Sequence, residues 1–402
     1  MASTLVHSGT LVDASGARPG WVFVDGGRVA SVGAHDETPP EADRSVDATG
    51  GYVTPGFVDI HGHGAGGAHY QDGVDQALDA LAAMRAHGTT RAVASFVTSS
   101  IESIVAAIDT VRLAMDRDLG LVGVHVEGPF LAPGRKGAHD RELLRHPDRE
   151  AVDRLLDAAP GVIRQITIAP ELPGALDAIS RFVDAGVPVA VGHTDCDHDI
   201  AREAFARGAS LVTHAFNAMM PIQGRFPGVL GAAVAAEHVT IEVIADGIHV
   251  HPASIALLFA AAPGRIALVT DAMAAAAAPP GRYQLGSLDV DVADGRAVIA
   301  GTDTLAGSTL TPDRALRTVV DDCGIPVHDA IAALTTTPAQ AIRELDPAVL
   351  APGARPELVV LDAGLFVTEV LVGDRCPEHS GDAHLDGRHR VERMGHLRRA
   401  PG

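Results

Sequence analysis

The sequence predicts an α/β protein whose body is a (β/α)8, TIM-like barrel, joined to a small β-sandwich domain formed by both chain ends. Three observations carry this. Between residues 57 and 270, eight short apolar runs alternate with Ala-rich stretches of helical texture, the rhythm of a parallel sheet with crossover helices. His61, His63, Glu127, His193, His214 and Asp271 stand at the downstream ends of such runs, where a parallel barrel builds its active site. Segments near both ends instead alternate apolar and polar residues between Gly-rich turns, as antiparallel strands do.

The run Gly20-Trp-Val-Phe-Val-Asp-Gly-Gly-Arg-Val-Ala-Ser-Val32 shows that alternation, and residues 1–53 are assigned to the first part of the small domain. Barrel strands are expected at 57–60, 91–96, 121–126, 164–168, 188–191, 210–213, 240–244 and 266–270. Between them, helices are expected at 75–87, 101–117, 149–158, 174–185, 199–207 and 252–260. A hairpin over 283–300 turns at Asp294-Gly295, and helices return at 312–322 and 327–343. The barrel thus takes residues 54–350. Strand-like runs at 358–362 and 366–372 complete the small domain over 351–375. Residues 376–402, rich in Gly, His, Asp and Arg without apolar period, are expected to form a mobile tail.

Composition narrows the function. With 402 residues, 47% of them hydrophobic, the chain can bury a large core. A formal charge of -20 speaks against nucleic-acid binding, which needs a basic face. Three scattered cysteines, Cys196, Cys323 and Cys376, suit a reducing compartment, and with no signal-peptide pattern at the N-terminus the expected location is cytoplasmic. No apolar run reaches the roughly 18 residues that span a bilayer.

The candidate chemistry is metal-dependent hydrolysis. His61 and His63, at i and i+2 on an extended strand, project to one face and can grip one ion. Imidazoles with a carboxylate suit zinc or another borderline divalent metal. Glu127, in His125-Val-Glu-Gly-Pro129, is a carboxylate at the end of an apolar strand and needs a cationic partner. Many binuclear barrels bridge two ions with a carbamylated lysine, but the single lysine here, Lys136, lies in the polar Pro133-Gly-Arg-Lys-Gly137 loop. The expectation is one tight metal site of Glu127, His193 and His214, with a second, conditional site at His61 and His63. Asp271, ending Leu268-Val-Thr-Asp271, can take a proton from an attacking water and return it to the leaving group; capping of the next segment is the plainer alternative.

Substrate contacts are less legible. Arg225, in Gln223-Gly-Arg-Phe-Pro-Gly228, could pair with phosphate or carboxylate, although on spacing alone a plain surface arginine is the better reading. His139 and His249 follow strands at the right end and could polarise a carbonyl or bind a hydroxyl or phosphate. On residues alone, the reading stops at an amide-like bond in a small anionic substrate.

The ordered set Pro55-Gly-Phe-Val-Asp-Ile-His61, His125-Val-Glu-Gly-Pro-Phe130, Lys136-Gly-Ala-His139, Val191-Gly-His193, Thr213-His-Ala-Phe-Asn-Ala-Met219, Gly224-Arg-Phe-Pro-Gly228, Ile244-Ala-Asp-Gly-Ile-His249, Leu268-Val-Thr-Asp271 and Leu305-Ala-Gly-Ser308 resembles the N-acetylglucosamine-6-phosphate deacetylases of the amidohydrolase superfamily. The resemblance runs over about residues 5–372. It implies removal of acetate from N-acetyl-D-glucosamine 6-phosphate, Glu127, His193 and His214 as metal ligands, His61 and His63 as the added pair of binuclear members, and Asp271 as acid/base. It further implies substrate contacts at Ala138, His139, Asn217, Ala218, Arg225, His249 and Leu305, Ala306 and Gly307, and a homodimer in which Arg225 and His249 reach across the interface to the phosphate. The acidic stretch Asp195-Cys-Asp-His-Asp199 departs from the pattern, and Cys196 and His198 there are potential stray metal ligands. A galactosamine epimer, another acylamino or cyclic-amide substrate, and a non-catalytic scaffold are the competing expectations.

Overall fold

A computed structural model of the chain describes residues 2–158, 160–344 and 348–373. The tail expected at 376–402 lies outside the described residues. Eight parallel strands follow one another in chain order: β1 (Phe57–Gly62), β2 (Thr89–Phe96), β3 (Leu121–Glu127), β4 (Ile163–Ile168), β5 (Val189–Val191), β6 (Leu211–Val212), β7 (Thr240–Ile244) and β8 (Ile266–Val269). Each is buried along nearly its whole length, as strands covered on both faces are. Between β8 and β1 the ladder is completed by Asp271 N–H donating to the His61 carbonyl at 2.7 Å and His63 N–H to that of Ala272 at 2.7 Å. Lower in the same junction, the Thr270 hydroxyl donates to Asp59 at 2.6 Å.

Helices Val74–Arg85, Ile101–Met115, Arg149–Ala158, Ala175–Asp184, His198–Ala206, Gly228–Ala235 and Pro252–Ala261 wrap the strands. Six match the expected ones within two residues. The helix Gly228–Ala235 was not expected, because Gly-Val-Leu-Gly-Ala-Ala-Val-Ala offers no polar face to mark a period. The expected helix over 327–343 is two, Val327–Leu334 and Thr336–Ala341. Pro338 has no N–H for the Leu334 carbonyl, and its ring crowds that oxygen, so the axis breaks at Thr335. The expected hairpin is a three-stranded antiparallel sheet of Gly281–Leu285, Leu288–Ala293 and Arg296–Ile299, with a further turn at Gly286. Asp294 and Gly295 both have positive φ, 51° and 76°, the geometry a tight hairpin turn requires.

The two chain ends share one seven-stranded sheet, in which Leu358–Leu361 pairs antiparallel with Tyr52–Pro55. The long strand Thr4–Asp13 shifts register between Val6 and Gly9. Its first half can therefore pair with Arg44–Asp47 and its second with Tyr52–Pro55. The sandwich is one continuous sheet around its own core of Val6, Leu11, Val22, Val53, Leu358 and Val360. Arg91, buried at the foot of β2, donates from Nε to Glu357 at 2.6 Å and ties this sheet to the barrel base.

At the helix Pro312–Arg317, burial pushes the Asp313 carboxyl up, but His87 at 3.1 Å and Arg317 at 3.0 Å outweigh it and hold its pKa at about 2. Since the folded value lies below the ordinary one, this stabilisation is complete above about pH 4 and is lost as pH falls through the folded value. Asp313→Asn should cost about 2 kcal/mol at neutral pH. Unfolding curves of the two proteins should converge toward pH 2; a pH-independent difference would mean the charge contributes nothing.

Candidate active site

The strand ends deliver the predicted residues to one spot. His61 lies in β1 and His63 directly follows its last residue, with the two ring centroids 5.4 Å apart, and Glu127 is the last residue of β3. His193 and His214 stand two residues beyond β5 and β6, and Asp271 two beyond β8, with φ of 48°, 25° and 46°. Non-glycine residues rarely hold this conformation, and three at the ends of barrel strands β5, β6 and β8 mark a site where geometry is imposed by the surrounding fold. The turn also explains why Thr213, expected in β6, has left it.

Glu127 is the centre. Its Oε1 lies 3.0 Å from His193 Nε2, 3.3 Å from His214 Nε2 and 3.4 Å from His61 Nε2. Its Oε2 lies 3.2 Å from His63 Nε2 and 3.5 Å from His139 Nε2. Asp271 Oδ1 faces the same pair, 3.2 Å from His63 Nε2 and 3.5 Å from His61 Nε2. One carboxylate thus touches both expected ligand groups.

Hydrogen bonds on the far side of three of the rings say which nitrogen offers a lone pair, while His214 Nδ1 is buried without a partner. His61 Nδ1 faces a Glu242 carboxylate oxygen at 2.9 Å, His63 Nδ1 the Ser95 carbonyl at 3.2 Å, and His193 Nδ1 the Arg135 carbonyl at 2.8 Å. All three partners only accept, so the proton sits on Nδ1 and Nε2 is free to ligate. The Nε2 atoms of His193 and His214 approach to 2.9 Å, and buried His61 Nε2 has no hydrogen-bond partner. Converging lone pairs around a carboxylate fit a divalent cation. His139 differs: its Nδ1 accepts the Thr98 backbone N–H at 3.2 Å, which leaves the proton of the neutral ring on Nε2, pointing at the site. It is a donor, suited to an oxyanion rather than a metal.

The electrostatics agree. Burial and neighbouring His193 and His63 outweigh Glu127 and bring His139 down to about 4, keeping it neutral. Burial disfavours the carboxylate of Asp271, but His63 and His61 hold it well below the ordinary range, so it is ionised. Burial opposes charge on His63 too, yet Asp271 and Glu127 lift it to about 9. The same two carboxylates that favour a proton on these rings favour a metal cation among them.

A cavity of about 310 Å³ opens on this cluster. Of the expected substrate residues, Ala138, His139, Asn217, Ala218, His249, Leu305 and Gly307 line it, while Ala306 is buried behind the wall. His249, expected from a partner subunit, lines the pocket of its own chain, where Asp246 accepts from its Nδ1 at 2.7 Å. Arg225 is not in the wall: it is exposed at the tip of the turn that Gln223 and Phe226 close. Cys196 and His198 do not join the ligands. Cys196 is buried elsewhere with its thiol pushed up to about 12, and His198 begins a helix whose N-terminus Asp197 caps. Asp195 pairs with Arg135 beside the cavity. Sequence reasoning missed Glu242, Asp246 and Thr98. A lone carboxylate inside Thr240-Ile-Glu-Val-Ile244 was a legible signal for the first; nothing local marked the other two.

Barrel, ligand cluster and adjoining carboxylate define a metal-dependent hydrolase, and the chain belongs to the amidohydrolase family, whose family model matches residues 52–385. The chain is 35% identical over 326 residues to the N-acetylgalactosamine-6-phosphate deacetylase of Escherichia coli O157:H7, covering 80% of this chain and 86% of that one. It is 33% identical over 345 residues to the N-acetylglucosamine-6-phosphate deacetylase of Danio rerio, covering 82% and 85%. Among solved structures, an aspartate-to-alanine mutant of the N-acetyl-D-glucosamine-6-phosphate deacetylase of Mycobacterium smegmatis, in complex with N-acetyl-D-glucosamine-6-phosphate, is 42% identical with a TM-score of 0.88, covering 92% of this chain and 98% of that one. The corresponding enzyme of Pasteurella multocida is 28% identical with a TM-score of 0.87, covering 92% and 98%. No helix among the described residues is long and apolar enough to cross a membrane.

Proposed function

We propose that this chain hydrolyses the acetamide bond of N-acetyl-D-glucosamine 6-phosphate to D-glucosamine 6-phosphate and acetate, a step of amino-sugar catabolism and recycling in the cytoplasm. The observation that carries this is the convergence of Asp271, a neutral donor at His139 and the Glu127 ligand cluster on one cavity, in a chain 42% identical to a relative solved with that sugar phosphate.

Glu127, His193 and His214 would hold one divalent ion, with His61 and His63 holding a second; the nitrogen-rich donor set favours zinc. A bound ion supplies Lewis acidity toward the acetyl carbonyl and lowers the pKa of water. Asp271 takes a proton from the attacking water as the C–O bond forms. The Nε2–H of His139 donates to the developing oxyanion. As the C–N bond breaks, Asp271 returns the proton to the departing amine, leaving acetate and a free amino sugar. Asn217, Ala218, His249 and the Leu305–Gly307 turn would orient the sugar. Residues 54–350 form the catalytic unit of this scheme, with 1–53 and 351–375 as its small domain.

Acetate release from the phosphorylated glucosamine and galactosamine derivatives, before and after chelation, tests the reading. Turnover that stops on chelation and returns with a divalent ion is expected; no turnover of either sugar removes the substrate assignment. The 35% identity to a galactosamine-type relative keeps that epimer as the second reading, and the ratio of the two kcat/KM values decides.

Arg225 makes no hydrogen bond or ion pair among the described residues and stands beside exposed Ile222 and Phe226. In a homodimer it would reach a neighbouring subunit's phosphate. Arg225→Ala should raise KM for phosphorylated sugar by about 10- to 100-fold, as expected for losing a charged hydrogen bond, and leave the unphosphorylated sugar unchanged. Equal effects on both would end the phosphate assignment.

A further inference from the structure

We infer that Glu242 is a positioning residue that couples the two metal-ligand groups, and that it decides whether His61 can hold an ion; this rests on the proposed metal-dependent reading. Glu242 lies in the middle of β7, fully buried, and faces inward beneath the ligands. Its Oε2 accepts from His61 Nδ1 at 2.9 Å and from the backbone N–H of His214 at 3.2 Å. Its Oε1 accepts from Gln165 Nε2 at 2.5 Å. One carboxylate oxygen therefore fixes the ring of His61 in one ligand group and the backbone of His214 in the other.

The consequence is chemical as well as geometric. Every partner of Glu242 is a donor, so only an acceptor on both oxygens satisfies them. By holding the proton on His61 Nδ1 it leaves the unpartnered Nε2 of that ring as a lone pair aimed at Glu127 and Asp271. A buried carboxylate also needs positive charge nearby, and an ion on His61 supplies it across the ring. His214 turns out of its strand at φ 25°, a conformation that the bond from its N–H helps to keep.

Glu242→Gln is nearly isosteric but turns one acceptor into a donor. Its NH2 either opposes the His61 and His214 N–H groups or requires the Gln165 amide to turn its unpartnered oxygen toward it, and in both cases the negative charge behind His61 is lost. Metal content and competitive affinity for zinc, measured on purified full-length protein, give a readout separate from turnover. We expect zinc affinity at the His61 and His63 site to fall about 10- to 100-fold, reducing two ions per chain toward one at limiting zinc. The double variant Glu242→Gln with His61→Asn should bind zinc no worse than His61→Asn alone, since both act through one ring. Wild-type affinity in Glu242→Gln, or losses that add in the double variant, overturns the coupling. If the glutamine variant does not fold, imidazole 15N spectra of the zinc-loaded wild-type protein decide: a His61 ring without a proton on Nδ1 overturns it. A wild-type chain that binds no divalent ion would instead defeat the metal-dependent reading itself.

Discussion

Asp271→Asn should keep the fold and the bound metal while lowering kcat by about a thousandfold, within the range general acid–base groups contribute. Asparagine tolerates the left-handed backbone that Asp271 adopts at φ 46°, so the change removes a charge and a proton acceptor with little strain. The aspartate touches His63 and His61, but Glu127 with His193 and His214 does not depend on it. Metal analysis beside acetate release separates the roles. Parallel loss of ion and turnover would make Asp271 a ligand first and a proton carrier second.

Glu127→Gln should have the largest effect of any single change, because its two oxygens serve both groups: Oε1 toward His193, His214 and His61, and Oε2 toward His63 and His139. An amide in that place presents a donor to nitrogens whose lone pairs already converge and removes the charge that balances a cation. We expect less than one ion per chain after dialysis, an affinity loss beyond the roughly 100-fold that outer partners carry, and turnover at background. Retention of one full equivalent of zinc would show that the histidines suffice and that Glu127 does not bridge.

The sequence signalled the strands because covered parallel strands are continuous apolar runs, and the ligands because polar residues punctuate those runs at one end. What it could not show was backbone leaving a ladder. Thr213 has strand composition, yet the turn at His214 takes it out. Nor could it show the role of His139 as a donor, which depends on a backbone N–H from Thr98, 41 residues earlier. The glutamate in β7 was visible as a charge in an apolar strand, but its partner His61 is 181 residues away. The break at Pro338 was legible from proline chemistry alone. The helix Gly228–Ala235 was not, since a helix without a polar face carries no period.

The barrel is closed by residues of the candidate site themselves: the main chain of Asp271 bonds to His61, and that of His63 to Ala272. A growing polypeptide can dock seven strands and still lack a working centre. Asp271 meets its neighbours only when the eighth strand arrives, some two hundred residues after the first histidines of the cluster. The cluster of His61, His63, Glu127 and Asp271 is therefore complete only where the barrel is closed.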